Sequence, residues 1–377
     1  MDLKLSEEEK LIRETAAQFV MRELLVREGA YLKQQEHFLP PGDPPRRELD
    51  AKTRQALTER AQQIGLWALE PPEFVGGSGM GALGRVLIYR EFGRTILPFE
   101  PACIPALMAH DGHVADLVSG KLSLTLAFDQ VHRTGTLGEV ATRFRPEPGG
   151  FAISITSINV LNPSADLFLL PAREQGTNRV GLFMLDRNTP GIFFGETVDL
   201  TTDAEVGQMT LNGCKVKSDT LLGYEYEAGE IIASEQLRIA ACALGIGMRC
   251  LSGSIEHARN RITFGRPLSQ RQAIQWMLAD LSINLRSCTW LTVEAAWRAD
   301  QGMPYFDAAA LAKKRAARMA FEAADTAIQI HGGYGVCKEF PFEGFYREAR
   351  MMRLLYGREG ELERDIGKRF ITEGAQP

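Results

Sequence analysis

The 377-residue sequence contains no Cys-x-x-Cys pair; its six cysteines, at 103, 214, 242, 250, 288 and 337, are scattered. That scatter leaves no zinc or dithiol arrangement and reads as structural thiols, with Cys242 inside an apolar run. A basic excess is also missing, since 43 Lys and Arg stand against 48 Asp and Glu for a net charge of −5. Without a positive field, nucleic acid is not an expected partner. No uncharged run of about 18 residues occurs, so no membrane span is expected. The opening Met1-Asp-Leu-Lys-Leu-Ser-Glu-Glu-Glu9 lacks an apolar or Arg-rich amphipathic leader, and a soluble cytoplasmic protein is expected. His110 and His113 have only Asp111 beside them, which predicts a polar loop and no metal site. A phosphate loop is lacking too. Glu73-Phe-Val-Gly-Gly-Ser-Gly-Met-Gly81 follows a helical pattern, has no Gly-x-Gly-x-x-Gly register and no Lys-Ser/Thr ending, and so predicts a turn.

What is present changes character twice along the chain. Apolar and charged residues alternate at helical spacing over 5–28, with Ser6 as N-cap and Glu9 three residues on, a capping-box pattern. The Pro-rich stretch 38–48 breaks any helix, and helical patterning returns over 49–65 and 81–93. From about 120 the runs are short and β-rich: Ser123–Phe128, Phe151–Ile158, Asp166–Leu170, Val180–Leu185 and Gln208–Leu211. Their spacing predicts a small barrel or sandwich. From 228 the pattern is helical again. Leu237, Ala241, Leu244, Met248, Leu251 and Ile255 recur every three or four residues, while Ile239, Cys242, Ala243 and Ile246 make the other side apolar, as expected of a central bundle helix. The expected fold is α+β: an N-terminal α-helical domain (1–117), a middle β-barrel domain (118–225) and a C-terminal four-helix bundle (226–377), a length able to bury more than one core.

Two stretches are the most specific. Arg261-Ile-Thr-Phe264-Gly265-Arg-Pro267 links a charged helix end, through a Gly-x-Pro corner, to an amphipathic helix starting near Ser269. Gln329-Ile-His-Gly332-Gly333-Tyr-Gly335 runs a helix end into paired glycines, where a backbone or a ligand can come close. In this order and spacing they resemble the acyl-CoA dehydrogenase family of flavoenzymes. The resemblance implies a three-domain plan in which the first stretch cradles the adenosine-diphosphate half of FAD and the second closes over it from a second subunit. It implies Arg261 as the cation for the pyrophosphate, Thr263 in the same cradle and Phe264 near the adenosine–flavin linker. Gln272 and Gln329 would give amide hydrogen bonds, and Gly332 and Gly333 close backbone approach. Taken singly, the same residues also read as a helix-end cation, a core aromatic and a helix cap.

The family desaturates an acyl-CoA between its α and β carbons. A carboxylate removes the α-proton, and burial makes a carboxylate a stronger base. In much of the family that base is a Glu in a segment matching Leu355-Tyr356-Gly357-Arg358-Glu359 here, where its place is taken by Gly357. Members with Gly or Ala there carry the base on the central helix, which the resemblance assigns to Glu235; Glu235 also reads as a first-turn Glu favoured by the helix dipole. The Gly357 backbone N–H is then expected to donate to the thioester carbonyl. Electron-transfer flavoprotein is the implied electron acceptor. The family's flavin-holding loop is replaced by Ala127-Phe-Asp-Gln-Val-His-Arg-Thr-Gly135, the run Ser157–Asn162 looks like a shortened strand, and Gln236 stands where Arg is common. What a subunit lends its neighbour is kept, and what holds its own flavin ring is altered. Two alternatives therefore stay open: a partner subunit completing a flavin site on another polypeptide, as in members acting on sterol-derived CoA thioesters, or a flavin oxidase or monooxygenase on the same fold.

Overall fold

The computed structural model describes residues 5–34, 49–128, 137, 140–177, 179–202 and 204–373. The Pro-rich stretch 38–48 and residues 129–135 of the altered loop lie outside them. By its internal contacts the chain divides into two compact units: 1–66 with 81–101 and 236–353, and 67–80 with 102–235 and 354–377.

The first unit is helical. Helix α1 (Glu7–Phe19) starts at Ser6, whose Oγ accepts the Glu9 N–H at 3.1 Å while Glu9 accepts the Ser6 N–H at 2.6 Å, the reciprocal cap its sequence predicts. The helical run does not stop at 28: a π turn over Val20–Leu24 leads into α2 (Leu25–Lys33). Helix α3 (Ala51–Gln63) is capped by Asp50, and α4 (Ala82–Phe92) by Asp300, whose carboxylate accepts the N–H groups of Ala82 and Leu83 at 2.6 and 2.9 Å. Glu28 is buried but matched. It accepts the Ile96 N–H at 3.0 Å and the Thr95 hydroxyl at 3.2 Å, and pairs with Arg249 at 3.0 Å.

After the short α5 (Val114–Val118) and the sheet, both in the second unit, the rest of the first unit comes from the part of α6 (Glu225–Asn260) that follows Glu235, and from α7 (Gln272–Asp300), α8 (Phe306–His331) and α9 (Phe342–Met352). Helix α7 begins at Gln272, three residues later than the sequence suggests, because Leu268–Gln270 make a 3-10 turn. Helix α6 is apolar all round, as its pattern predicts, and 78% of its most apolar window is buried in the chain. It is long and apolar enough to cross a bilayer by composition, but that surface is used in packing. Gly93 and Gly245 let the end of α4 meet α6 backbone to backbone; a Cβ on either would strike the carbonyl of Cys242 or Arg90.

The second unit is built on one mixed sheet. Its strands are β1 (Leu124–Leu126), β2 (Arg143–Glu147), β3 (Gly150–Leu161), β4 (Leu167–Glu174), β5 (Val180–Asp186), β6 (Ile192–Asp199), β7 (Glu205–Lys217) and β8 (Leu221–Gly223), in the order β6-β7-β3-β2-β4-β5-β8. β1 and β2 both run parallel to β4, one along its start and one along its end. β3 is twelve residues long, so the run at Ser157 is not shortened; register shifts between Ile153 and Ile158 bend it instead.

Strand β4 is buried on both faces. Phe168, Leu170 and Ala172 pack into a core with Phe144, Phe183 and Ile153. Leu167 faces a second cluster with Met184, Ala68, Ile104, Met108 and Leu117. Burying a side chain such as Ile104 contributes about 1.5–3 kcal/mol at most. This second cluster fixes the segments 67–80 and 102–118 against the sheet, and the candidate base lies beside them. Their glycines turn as expected: Glu73–Val75 is one 3-10 turn closed by Gly76 at φ +86°. Helix α10 (Glu359–Glu373) ends the described chain.

Candidate functional site

The Arg261 stretch leaves α6 as a two-residue hairpin, β9 (Ile262–Thr263) against β10 (Arg266–Pro267). Phe264 and Gly265 form its tip at φ +48° and +77°, a left-handed pair that glycine adopts freely and phenylalanine does not. The hairpin is held from α7's first turn: Arg271 donates to the Thr263 carbonyl at 2.7 Å and lies 5.7 Å from the Phe264 ring centre. The Phe264 ring is 99% exposed, so it is not a core aromatic of this chain.

Helix α8 ends at His331, and Gly332 takes φ +62° to turn the chain into a 3-10 turn over Gly332–Val336. The two stretches meet. Arg261, Thr263, Gly332 and Gly333 line one cavity of about 390 Å³, together with His257 and His331. A Cβ built on Gly332 or Gly333 would meet nothing within 4 Å, so the glycines are open to a ligand and are not packing spacers. Gln272 and Gln329 are exposed and outside this lining.

The histidines were not singled out by sequence. Their ring centres are 4.2 Å apart, and His331 Nδ1 lies 2.7 Å from the Ala327 carbonyl, which can only accept, so its proton sits on Nδ1. Burial lowers the pKa of both; for His257, His331 and Arg261 add to the effect. The cavity thus holds one permanent cation, two neutral imidazoles and bare backbone. That set fits a diphosphate: a guanidinium for the charge, and room for close approach of N–H groups.

Glu235 is in the other unit, on the first part of α6. It is only 4% exposed, and the Cys103 thiol donates to its Oε1 at 3.1 Å. The preceding Ser234 donates to Glu70 Oε1 at 2.6 Å. Nor is Glu235 a first-turn Glu: α6 starts ten residues earlier, at Glu225, so the helix-dipole reading of this residue does not apply. Gly357 is also in this unit and is buried, at φ +112°; a Cβ there would lie 2.6 Å from Leu362 Cδ2. The backbone at 357 is closed to a side chain, so no carboxylate could stand there without rebuilding the turn. Among the described residues, no group of three or more His, Cys, Asp or Glu is placed to hold a metal. None of the six cysteines, all among the described residues, is in a disulfide. Cys250 and Cys288 are buried, which raises both, Cys288 to about 11, and makes them inert.

Comparison with known proteins decides the family. The family model "Acyl-CoA dehydrogenase, C-terminal domain" matches residues 225–371, and "Acyl-CoA dehydrogenase, N-terminal domain" matches 6–116. The chain belongs to the acyl-CoA dehydrogenase family. A curated relative, (R)-benzylsuccinyl-CoA dehydrogenase of Thauera aromatica, is 27% identical over 99% of this chain and 98% of its own. Butyryl-CoA dehydrogenase from Megasphaera elsdenii superposes with TM-score 0.81 at 20% identity, covering 98% of this chain and 100% of that one. A chain of the ChsE4-ChsE5 complex from Mycobacterium tuberculosis gives TM-score 0.81 at 24% identity, with full coverage of both. The helical, sheet and helical order is therefore that of the acyl-CoA dehydrogenase fold, and the chain is an oxidoreductase of acyl-CoA dehydrogenase type.

Proposed function

We propose that this acyl-CoA dehydrogenase-family chain removes the α-proton of an acyl-CoA thioester with Glu235, in an FAD-dependent α,β-dehydrogenation. The observation that carries this reading is the contrast between the two base positions. Glu235 is a buried carboxylate held by a thiol, whereas position 357 has a backbone that side-chain-bearing residues rarely adopt. In a dry setting the carboxylate takes the proton as the α C–H bond breaks, and negative charge moves onto the thioester oxygen. The Gly357 N–H is assigned to that oxygen, lowering the cost of the enolate-like charge.

FAD would be held through its diphosphate by Arg261 and the backbone at Gly332 and Gly333, with Thr263 beside them and Phe264, Gln272 and Gln329 reaching from the exposed rim. Bound there, it supplies the two-electron acceptor for the β-hydrogen, which leaves as hydride; electron-transfer flavoprotein is the proposed onward acceptor. A second subunit across the clasp is supported by the bare Phe264 ring and by α7, where Trp276, Ile283 and Trp290, seven residues apart, are 62, 61 and 56% exposed.

The test is anaerobic mixing of the yellow protein with acyl-CoA thioesters of graded chain length and ring content. Bleaching of the flavin band that Glu235→Gln abolishes supports the reading; undiminished bleaching in that variant removes Glu235 as the base. A second reading has its own support in the exposed clasp: the chain completes a flavin site on a different polypeptide. It predicts a colourless protein when expressed alone and a yellow one only with its partner. Oxygen consumption without an added acceptor would instead indicate an oxidase.

A further inference from the structure

Cys103 and Glu235 are 132 residues apart in sequence, yet their side chains meet at 3.1 Å. Backbone geometry produces the meeting. Ala102 forms a parallel bridge with Ala68, and its N–H donates to the Trp67 carbonyl at 3.0 Å. Two residues beyond Ala68, Glu70 accepts from Ser234; one residue beyond Ala102, Cys103 donates to Glu235. The paired segments therefore grip α6 at two consecutive residues. Ile104 and Ala68 are in turn buried in the cluster against Leu167 of β4, so the grip is anchored to the sheet.

We propose that Cys103 is a positioning residue for the Glu235 carboxylate, its thiol orienting the base. This rests on the assignment of Glu235 as the base. A buried carboxylate needs hydrogen-bond donors, and a donor at a fixed place holds the oxygen it bonds in one position. Cys103 is half-buried and small, and its contact with Oε1 holds the carboxylate's rotamer. Beside this contact, in the same unit, the carboxylate of Glu70 accepts from Ser234.

Two measurements test the proposal, one of them independent of flavin. In the infrared, the S–H stretch of a thiol bonded to a carboxylate lies lower than that of one bonded to an amide. The difference spectrum of wild type against Glu235→Gln should show one of the six thiol bands moving to higher frequency, and Cys103→Ala should delete that band. No difference band overturns the contact. In the second measurement, the rate of flavin bleaching by acyl-CoA is compared across variants. Cys103→Ala should slow bleaching several-fold, with substrate affinity held within about twofold, and Cys103→Ser, which keeps a donor at the same place, should restore the rate. An unchanged rate in Cys103→Ala, with Glu235→Gln still inactive, overturns the positioning role and leaves the base assignment standing. Active Glu235→Gln overturns both.

Discussion

The cavity around Arg261 and the cluster around Glu235 are opposite kinds of construction. In the first, polar and aromatic groups are presented outward: Phe264 is bare, Gln272 and Gln329 are exposed, and the glycines have open space where side chains would be. In the second, Glu235 is buried and bonded by Cys103, Ser234 is bonded to Glu70, and the segments that hold them are packed on the sheet. A surface left incomplete by its own chain is made to be completed by a ligand or another chain. A buried carboxylate with a matched donor is made to keep one geometry. On the proposed function, the difference separates what binds from what reacts.

The largest effect that could break this division belongs to the buried cluster. Glu235→Gln should slow flavin bleaching by about a hundredfold to ten-thousandfold, the usual contribution of a general base, while leaving FAD content unchanged. Loss of FAD in this variant would show that the cluster is structural.

Next in size is Arg261→Ala. Losing a charge-assisted hydrogen bond costs about 1.5–3 kcal/mol, so FAD should bind about ten to a hundred times more weakly in a fluorescence titration of the flavin-free protein, or of the complex if a partner chain proves necessary. The rate constant for bleaching in the saturated protein should change little. The reverse pattern, normal affinity and a slow reaction, would move Arg261 out of the clasp and into the chemistry.

The two glycines sharpen the same contrast within the clasp. Gly332 adopts φ +62° and Gly333 does not, while both face open space. Gly332→Ala should therefore destabilise the flavin-free protein by about 1–3 kcal/mol in urea. Gly333→Ala should leave that stability alone and weaken FAD binding several-fold by holding the ligand off the backbone. Equal effects on stability would mean that both serve only the helix end.

How far each region could be read from sequence follows from the same difference. The two stretches that line the cavity stood out because each is contiguous, seven residues in one and seven in the other, and because they occur together in this order. The helices were legible from their period, including the capping box at Ser6. Strands β2, β6 and β8 were not foreseen: Arg143-Phe-Arg-Pro-Glu147 is mostly charged and holds a proline, β6 is interrupted by Gly195, and β8 is three residues long. The contact between Cys103 and Glu235 was out of reach of any local pattern. It depends on the bridge between Ala68 and Ala102 and on the two-sided burial of β4, both of which exist only in three dimensions. Gly357 looked like a lost base; its φ and the Leu362 contact show a turn with no room for one.

The smallest expected effect concerns the two imidazoles in the cavity wall. Burial holds His257 and His331 below the ordinary histidine value of 6.5, and for His257 the neighbouring ring and Arg261 push the same way. Both are neutral in the folded chain, whereas below about pH 6.5 the unfolded chain binds protons on them. The unfolded state then carries more protons, so this contribution to stability is complete above about 6.5 and is lost as pH falls toward the lowered folded values. A diphosphate in the cavity opposes the Arg261 charge and reduces that loss. The urea midpoint of the flavin-free protein, measured at about pH 7.5 and about pH 5.5, should fall further in wild type than in the His257→Gln/His331→Gln variant, and FAD should narrow the gap. Buried carboxylates contribute equally to both proteins, so the difference isolates the pair. An identical fall in the two proteins would mean that the rings are hydrated in solution and that the cavity is wetter than its geometry implies.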